Sequence, residues 1–156
     1  MWRTLARVKV GDRAPEFELP SQDGVIIRLR ELLTKGPVVI YFYPKDNTPG
    51  CTAEAGAFRD SFSKFGELGA EVVGISSDSV DSHKGFANKC NLPFRILSDA
   101  GGRARKSYGV PSSMGLLPGR VTYVIDKQGI VRNIFSSQLQ AVRHVSEALK
   151  ALGATY

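Results

Sequence analysis

The sequence predicts an α/β fold in which a mixed central sheet is flanked by helices and preceded by an N-terminal β-hairpin. Three observations carry this. Strand-like and helix-like segments alternate through the middle of the chain, the run "VVIYFY" at 38–43 is apolar at every position, and a second hairpin precedes the closing helix. Alternation calls for parallel strands joined by helical crossovers. An all-apolar strand calls for cover on both faces, and a late hairpin adds antiparallel strands to the same sheet.

The elements follow in order. "EFELP" and "VIIRL", separated by the turn residues "SQDG", form the first hairpin. After the strand at 38–43, Thr48 is placed as a helix N-cap and Pro49 as the first helical residue, where a missing N–H costs nothing. Ala55, Phe58, Phe62 and Phe65 then fall on one inward stripe, and Cys51, four residues before Ala55, shares it, which predicts a half-sheltered thiol. "AEVVGIS" (70–76) is a strand, 79–91 a helix, and "FRIL" (94–97) a strand ended by "SDAGG". A short helix around 102–107 leads into the Gly/Pro-punctuated loop "YGVPSSMGLLPG". "VTYVID" and "IVRNIF" make the late hairpin, and Leu139, Val142, Val145, Leu149 and Leu152 mark one face of the last helix. A thioredoxin-like arrangement satisfies this order. A flavodoxin-like one does so less well, because the hairpin does not suit an all-parallel sheet.

With 156 residues and no repeats or linkers, the chain is read as a single domain, 1–156. Its net charge of +6 is spread along the chain and interleaved with acids. Arg3, Arg7, Lys9 and Arg13, and then Arg103, Arg105 and Lys106, are its nearest approach to clusters, and no nucleic-acid motif accompanies them. No apolar run approaches a membrane span. The opening "MWRTLARVKVGDRAP" has positive charge but no apolar core behind it, which argues against a secretory signal. Two cysteines and two histidines, at 51, 83, 90 and 144, match no zinc spacing and no CxxC. No metal or cofactor is expected. So few cysteines suit a reducing setting: the cytoplasm, or the plastid stroma or lumen if this is a processed organellar form.

The chemistry concentrates at 43–56, "YPKDNTPGCTAEAG". A helix N-terminus offers unpaired N–H groups and partial positive charge, which stabilise a thiolate. Gly50 lets a small substrate approach the backbone, and Pro44 ends the strand and screens the thiol. Locally this leaves two readings of Cys51 open, a reactive thiolate and a small buried apolar group.

"FYPKDNTPGCT" resembles the peroxiredoxin signature P-x-x-x-T-x-x-C, with Pro44, Thr48 and Cys51 in its fixed positions. The likeness extends through "VGDRAPEFELPSQDG", "VVGISSDSVDSHKGFA", "LPFRILSD" and "YGVPSS…LPGRVTYVIDKQG" to the closing helix. Over nearly its whole length the chain is similar to the peroxiredoxin Q (bacterioferritin comigratory protein) subfamily, in its cyanobacterial and plastid branch.

That resemblance implies a thiol-dependent peroxidase acting on hydrogen peroxide and organic hydroperoxides, with Cys51 as the peroxidatic cysteine. Thr48 and the Cys51 N–H would hold the two peroxide oxygens, Arg120 would supply positive charge beside the sulfur, and Pro44 would screen the pocket. Glu54, placed in the first helical turn, is a candidate for a supporting hydrogen bond to the arginine or to a neighbouring backbone group, while His83 is expected on the helix surface. Many relatives carry a resolving cysteine five residues after the first, but here that position is Gly56. Cys90 is left with two readings, a resolving thiol or a structural cysteine. The one-cysteine route, with thioredoxin, glutaredoxin or glutathione as outside reductant, follows from the missing thiol, and the subfamily implies a monomer. A second functional reading, a thioredoxin-like binding or holdase module with a redox-sensing thiol, needs a large apolar groove that the pattern does not offer.

Overall fold

A computed structural model describes residues 7–113 and 117–155. Arg3 of the basic start and positions 114–116 of the punctuated loop lie outside the described residues. The chain enters through two short antiparallel strands, β1 (Glu18–Pro20) and β2 (Ile26–Arg28). Leu29, expected to finish the second strand, instead begins a helix, α1 (Leu29–Leu33). The Glu16 carboxylate accepts the Arg30 N–H at 3.1 Å, satisfying a donor that the first turn leaves free, and Leu29 and Leu32 are buried beneath it.

The fully buried strand β3 (Val38–Phe42) is followed by α2 (Pro49–Asp60) and α3 (Phe62–Glu67). One helix was expected here. The chain breaks at Ser61 (φ −103°, ψ 7°), so Phe58 and Phe65 stay buried while Phe62 is only partly covered. Then come β4 (Glu71–Ser76), α4 (Val80–Cys90), β5 (Arg95–Ser98) and α5 (Arg103–Tyr108). Ser79 caps α4 by accepting the Ser82 N–H at 3.1 Å, and Asn91, in the left-handed region, closes it. Beyond α5, β6 (Ser112–Ser113) pairs with β7 (Leu117–Pro118). The chain ends with β8 (Val121–Ile125), β9 (Val131–Ser136) and α6 (Arg143–Thr155). Leu139 and Val142 precede this last helix and are 96% and 60% exposed, so the predicted apolar face narrows to Val145, Leu149 and Leu152. Helical spacing has no meaning for residues outside the helix.

The main sheet has the order β5-β4-β3-β8-β9. β3, β4 and β5 run parallel, and β8 lies antiparallel to both β3 and β9. β3 is therefore central, as its apolar run requires. Its alternate residues separate two cores. Val38, Ile40 and Phe42 face α1, α5 and the first hairpin, among Leu29, Leu32, Ala104 and Tyr108. Val39, Tyr41 and Tyr43 face α2, α3, α4 and α6, among Ala55, Phe58, Phe86 and Leu152. Tyr41 lies across β4, where a Cβ at its neighbour Gly74 would stand 2.8 Å from the ring. Both cysteines belong to this second core.

Candidate active site

Strand register brings the site together. Phe42 pairs with Val121, so the residue before β8 comes level with the residue after β3. Arg120 thus meets the first turn of α2, which Pro49 starts and in which Cys51 is the third helical residue. Arg120 Nη2 donates toward Cys51 Sγ at 3.4 Å. Cys51 is 1% exposed, more deeply enclosed than the half-sheltered thiol the stripe predicted, and it belongs to the second core while also meeting Arg120. A Cβ at Gly50 would stand 2.9 Å from Arg120 Nη2, so the glycine also makes room for the guanidinium.

The other fork of Arg120 is equally committed. Nη1 donates to Glu54 Oε1 at 2.5 Å, and both residues are buried. Glu54 stands in the second turn of α2, not the first as expected, and points into the protein instead of toward the helix terminus. Burial pushes its carboxyl pKa up to about 8, against the opposing pull of Arg120. Burial works against the Arg120 charge, but Glu54 and Cys51 outweigh it and hold the arginine pKa above its ordinary value.

Behind Glu54 stands His144 of α6, with Nδ1 3.6 Å from Glu54 Oε2. His144 Nε2 is 2.9 Å from the Ser137 carbonyl, which can only accept, so Nε2 carries the hydrogen and Nδ1 accepts from Thr122 Oγ1 at 2.7 Å. Burial lowers the His144 pKa to about 4, so the ring is neutral near pH 7. Tyr41 presents its hydroxyl to the same core, with a pKa raised well above the ordinary tyrosine value by burial and then by Glu54.

The segment leading into α2 is fastened separately. Thr48 occupies the N-cap, but its hydroxyl donates to the Lys45 carbonyl at 2.9 Å and makes no bond to the helix N-terminus. Pro44 follows β3, half-buried. Between them, Asp46 is buried and collects Tyr43 Oη at 2.6 Å, Ser82 Oγ at 2.8 Å and His83 Nδ1 at 2.7 Å, while its own N–H donates to Asp78 Oδ2 at 2.8 Å. His83 is therefore not a surface residue. It is fully buried, with its second nitrogen 2.9 Å from the Leu97 carbonyl. Asp46, Asp78 and His83 have ligand atoms within 4.8 Å of one another, a grouping the sequence spacing did not reveal. Each of those atoms is engaged in the hydrogen bonds just described, so a cation would have to displace them.

Cys90 closes α4. Its carbonyl accepts from Arg59 Nη1 at 2.7 Å, and Arg59 lies eight residues beyond Cys51 on α2. Both cysteines are free and buried.

The sequence pattern of the AhpC/TSA family matches residues 10–134. The chain belongs to the AhpC/TSA family. It is a thiol-dependent peroxidase of thioredoxin-like fold, as its sequence implied. Among curated relatives in this family, it is 53% identical to the chloroplastic peroxiredoxin Q of Sedum lineare over 149 residues, 95% of this chain and 80% of that protein. The Arabidopsis thaliana chloroplastic peroxiredoxin Q is 52% identical over 151 residues, 96% of this chain and 69% of that one. Among solved structures, the peroxidoxin BcpB of Mycobacterium tuberculosis is 41% identical, with a TM-score of 0.90 over 96% of this chain and 99% of that one. The Xanthomonas campestris bacterioferritin comigratory protein is 30% identical, with a TM-score of 0.83 over 89% of this chain and 91% of that one.

Of the family positions read from the sequence, Cys51 and Arg120 meet directly in this peroxidase, and Pro44 and Thr48 flank them on one loop. Sequence reading missed the depth of Glu54, the inward turn of His83 and any link between His144 and the site. Among the described residues, no helix is long and apolar enough to cross a membrane.

Proposed function

We propose that this peroxidase reduces hydrogen peroxide and organic hydroperoxides at Cys51 by a one-cysteine route. The observation that supports it best is the Arg120 guanidinium held between Cys51 Sγ and Glu54. The Cys51 thiolate attacks one peroxide oxygen, an S–O bond forms as the O–O bond breaks, and the departing alkoxide or hydroxide takes a proton. Arg120 stabilises first the thiolate and then the charge arriving on the leaving oxygen. Thr48 and the free N–H groups of the first turn of α2 orient the peroxide, and Pro44 screens it from water. Work on alkyl peroxide reduction by the Xanthomonas campestris relative supports organic hydroperoxides as substrates.

The resulting sulfenic acid condenses with an outside thiol, releasing water and forming a mixed disulfide that a second thiol reduces. Gly56 in place of a helix cysteine and the burial of Cys90 favour thioredoxin, glutaredoxin or glutathione over an internal partner. We retain one domain over 1–156 and a monomer. The chloroplastic relatives favour the plastid alternative over the cytoplasm. The test is peroxide turnover by Cys51→Ser, together with intact mass after one equivalent of peroxide. Activity persisting in that variant, or a Cys51–Cys90 disulfide in the native chain, would remove the one-cysteine reading.

A further inference from the structure

Arg120 is one cation clasped by two acids that water barely reaches. Nη1 holds Glu54 Oε1, Nη2 faces Cys51 Sγ, and all three residues are buried. With Cys51 and Glu54 both ionised, this trio would carry a net negative charge in the protein interior. With one proton on Glu54, it is neutral. Burying uncompensated charge is costly, so the two acids compete for a single guanidinium.

Resting on the peroxidase reading above, we propose that Glu54 exchanges a proton in step with Cys51: it is protonated while Cys51 is a thiolate and ionised once Cys51 is a sulfenic acid. In the first state Arg120 balances the sulfur. In the second the sulfur is neutral and Arg120 balances the carboxylate.

The surroundings of Glu54 agree. Its Oε2 is buried without a hydrogen-bond partner. Besides Arg120, the described groups that interact with it include His144, neutral near pH 7, and Tyr41, whose hydroxyl keeps its proton. Neither can replace the proton as a counter-charge. Burial raises the carboxyl pKa and so favours its protonated form, against the pull of Arg120.

The step balances. The thiolate attacks the peroxide, the S–O bond forms, and the sulfur loses two electrons to the O–O bond. The leaving alkoxide or hydroxide gains one proton, and Glu54 gives one up to solvent. Bulk solvent therefore supplies almost no net proton. Glu54 touches neither peroxide nor sulfur and acts through Arg120, so it is a positioning residue.

The test mixes the reduced full chain with one equivalent of hydrogen peroxide in weakly buffered indicator dye near neutral pH. Protons taken up are counted against Cys51 oxidised by intact mass. Native protein is expected to take up almost none, and Glu54→Gln about one per Cys51 oxidised. In parallel, infrared difference spectra of the native protein should lose the protonated-carboxyl stretch on oxidation, a readout that does not depend on the variant folding. Equal uptake by native protein and variant, or an unchanged carboxyl band, overturns the proposal. If the mass reveals no oxygen on Cys51, the peroxidase assignment falls first and takes this inference with it.

Discussion

Arg120 Nη2 lies 3.4 Å from Cys51 Sγ across 69 residues of sequence. The contact is a consequence of register: Phe42 faces Val121 in the central ladder, and each functional residue follows or precedes its strand by a short step. Planar geometry lets one guanidinium hold Glu54 while facing the sulfur.

Lysine cannot do both. Its ammonium is a point charge without a fork, so Arg120→Lys leaves either the sulfur or the buried carboxylate unserved. The expected result is a fall of about 10²- to 10³-fold in kcat/KM for peroxide, the loss typical of removing one preorganised donor. Stopped-flow oxidation of the reduced protein measures it. A rate within a fewfold of native would detach Arg120 from the chemistry.

Gly50→Ala separates activity from stability. The new Cβ would stand 2.9 Å from Arg120 Nη2, close enough to push the end of a flexible side chain away from Cys51. In a helix, alanine is favoured over glycine by about 0.5–1 kcal/mol. Peroxide reactivity is expected to drop roughly ten- to a hundredfold, while the urea midpoint holds or rises. A variant with native reactivity would mean that Arg120 has room the structure does not reveal.

The fold was legible where burial forces composition. The apolar run of β3, the hairpins and the Thr-Pro start of α2 were all readable, because each follows from local chemistry. The pairing of β3 with β8 was not, since a lone apolar strand does not name its neighbours; only the family resemblance brought Arg120 to Cys51. A usable signal was overlooked in the helices. Glu54 falls three residues after Cys51 and four before Phe58, so it stands on the apolar stripe. His83 precedes Ala87 and Cys90 by four and seven, and His144 precedes Ala148 and Leu152 by four and eight, so both occupy inward positions. A polar residue at an apolar stripe position is a buried polar residue in search of a partner. Asp46 had no such signal, because "PKDNTP" reads as an ordinary turn.

Cys90→Ala should leave peroxide reactivity and thiol-driven turnover essentially native, with a stability loss of roughly 1 kcal/mol from the shrunken side chain. Its burial at the end of α4, where Arg59 holds its carbonyl, is the reason. Turnover with thioredoxin or glutathione checks it. Loss of turnover with an intact oxidation step would restore Cys90 as the resolving thiol.

His83 ties α4 to the loop that carries Pro44 and Thr48. Its ring nitrogens lie 2.7 Å from Asp46 Oδ2 and 2.9 Å from the Leu97 carbonyl. Removing the ring takes one donor from the buried Asp46, which keeps Tyr43 and Ser82, and leaves the Leu97 carbonyl unpaired, so His83→Ala is expected to cost about 1–3 kcal/mol in urea denaturation. Its exposed neighbour Lys84→Ala should stay within about 0.5 kcal/mol of native. Comparable losses in the two would mean that the Asp46 contact contributes little.

Glu54 and His144 impose opposite pH dependences on the stability of the reduced chain. Glu54 has its pKa raised from 4.5 to about 8, so across that interval the folded chain holds a proton that the unfolded chain releases. Its contribution is complete below about pH 4.5 and is lost as pH rises through about 8. His144 is lowered from 6.5 to about 4, so there the unfolded chain binds the extra proton. Its contribution is complete above about pH 6.5 and is lost as pH falls through about 4. Between 4.5 and 6.5 the two slopes oppose each other, and from 6.5 to 8 only the Glu54 decline remains. Urea midpoints should therefore fall between pH 6.5 and 8, and Glu54→Gln should flatten that fall. His144→Gln should keep the fall and remove the opposing slope below 6.5, so that midpoints decline across the whole interval from 4.5 to 8. A Glu54→Gln profile that still falls above pH 6.5 would assign the decline to another group.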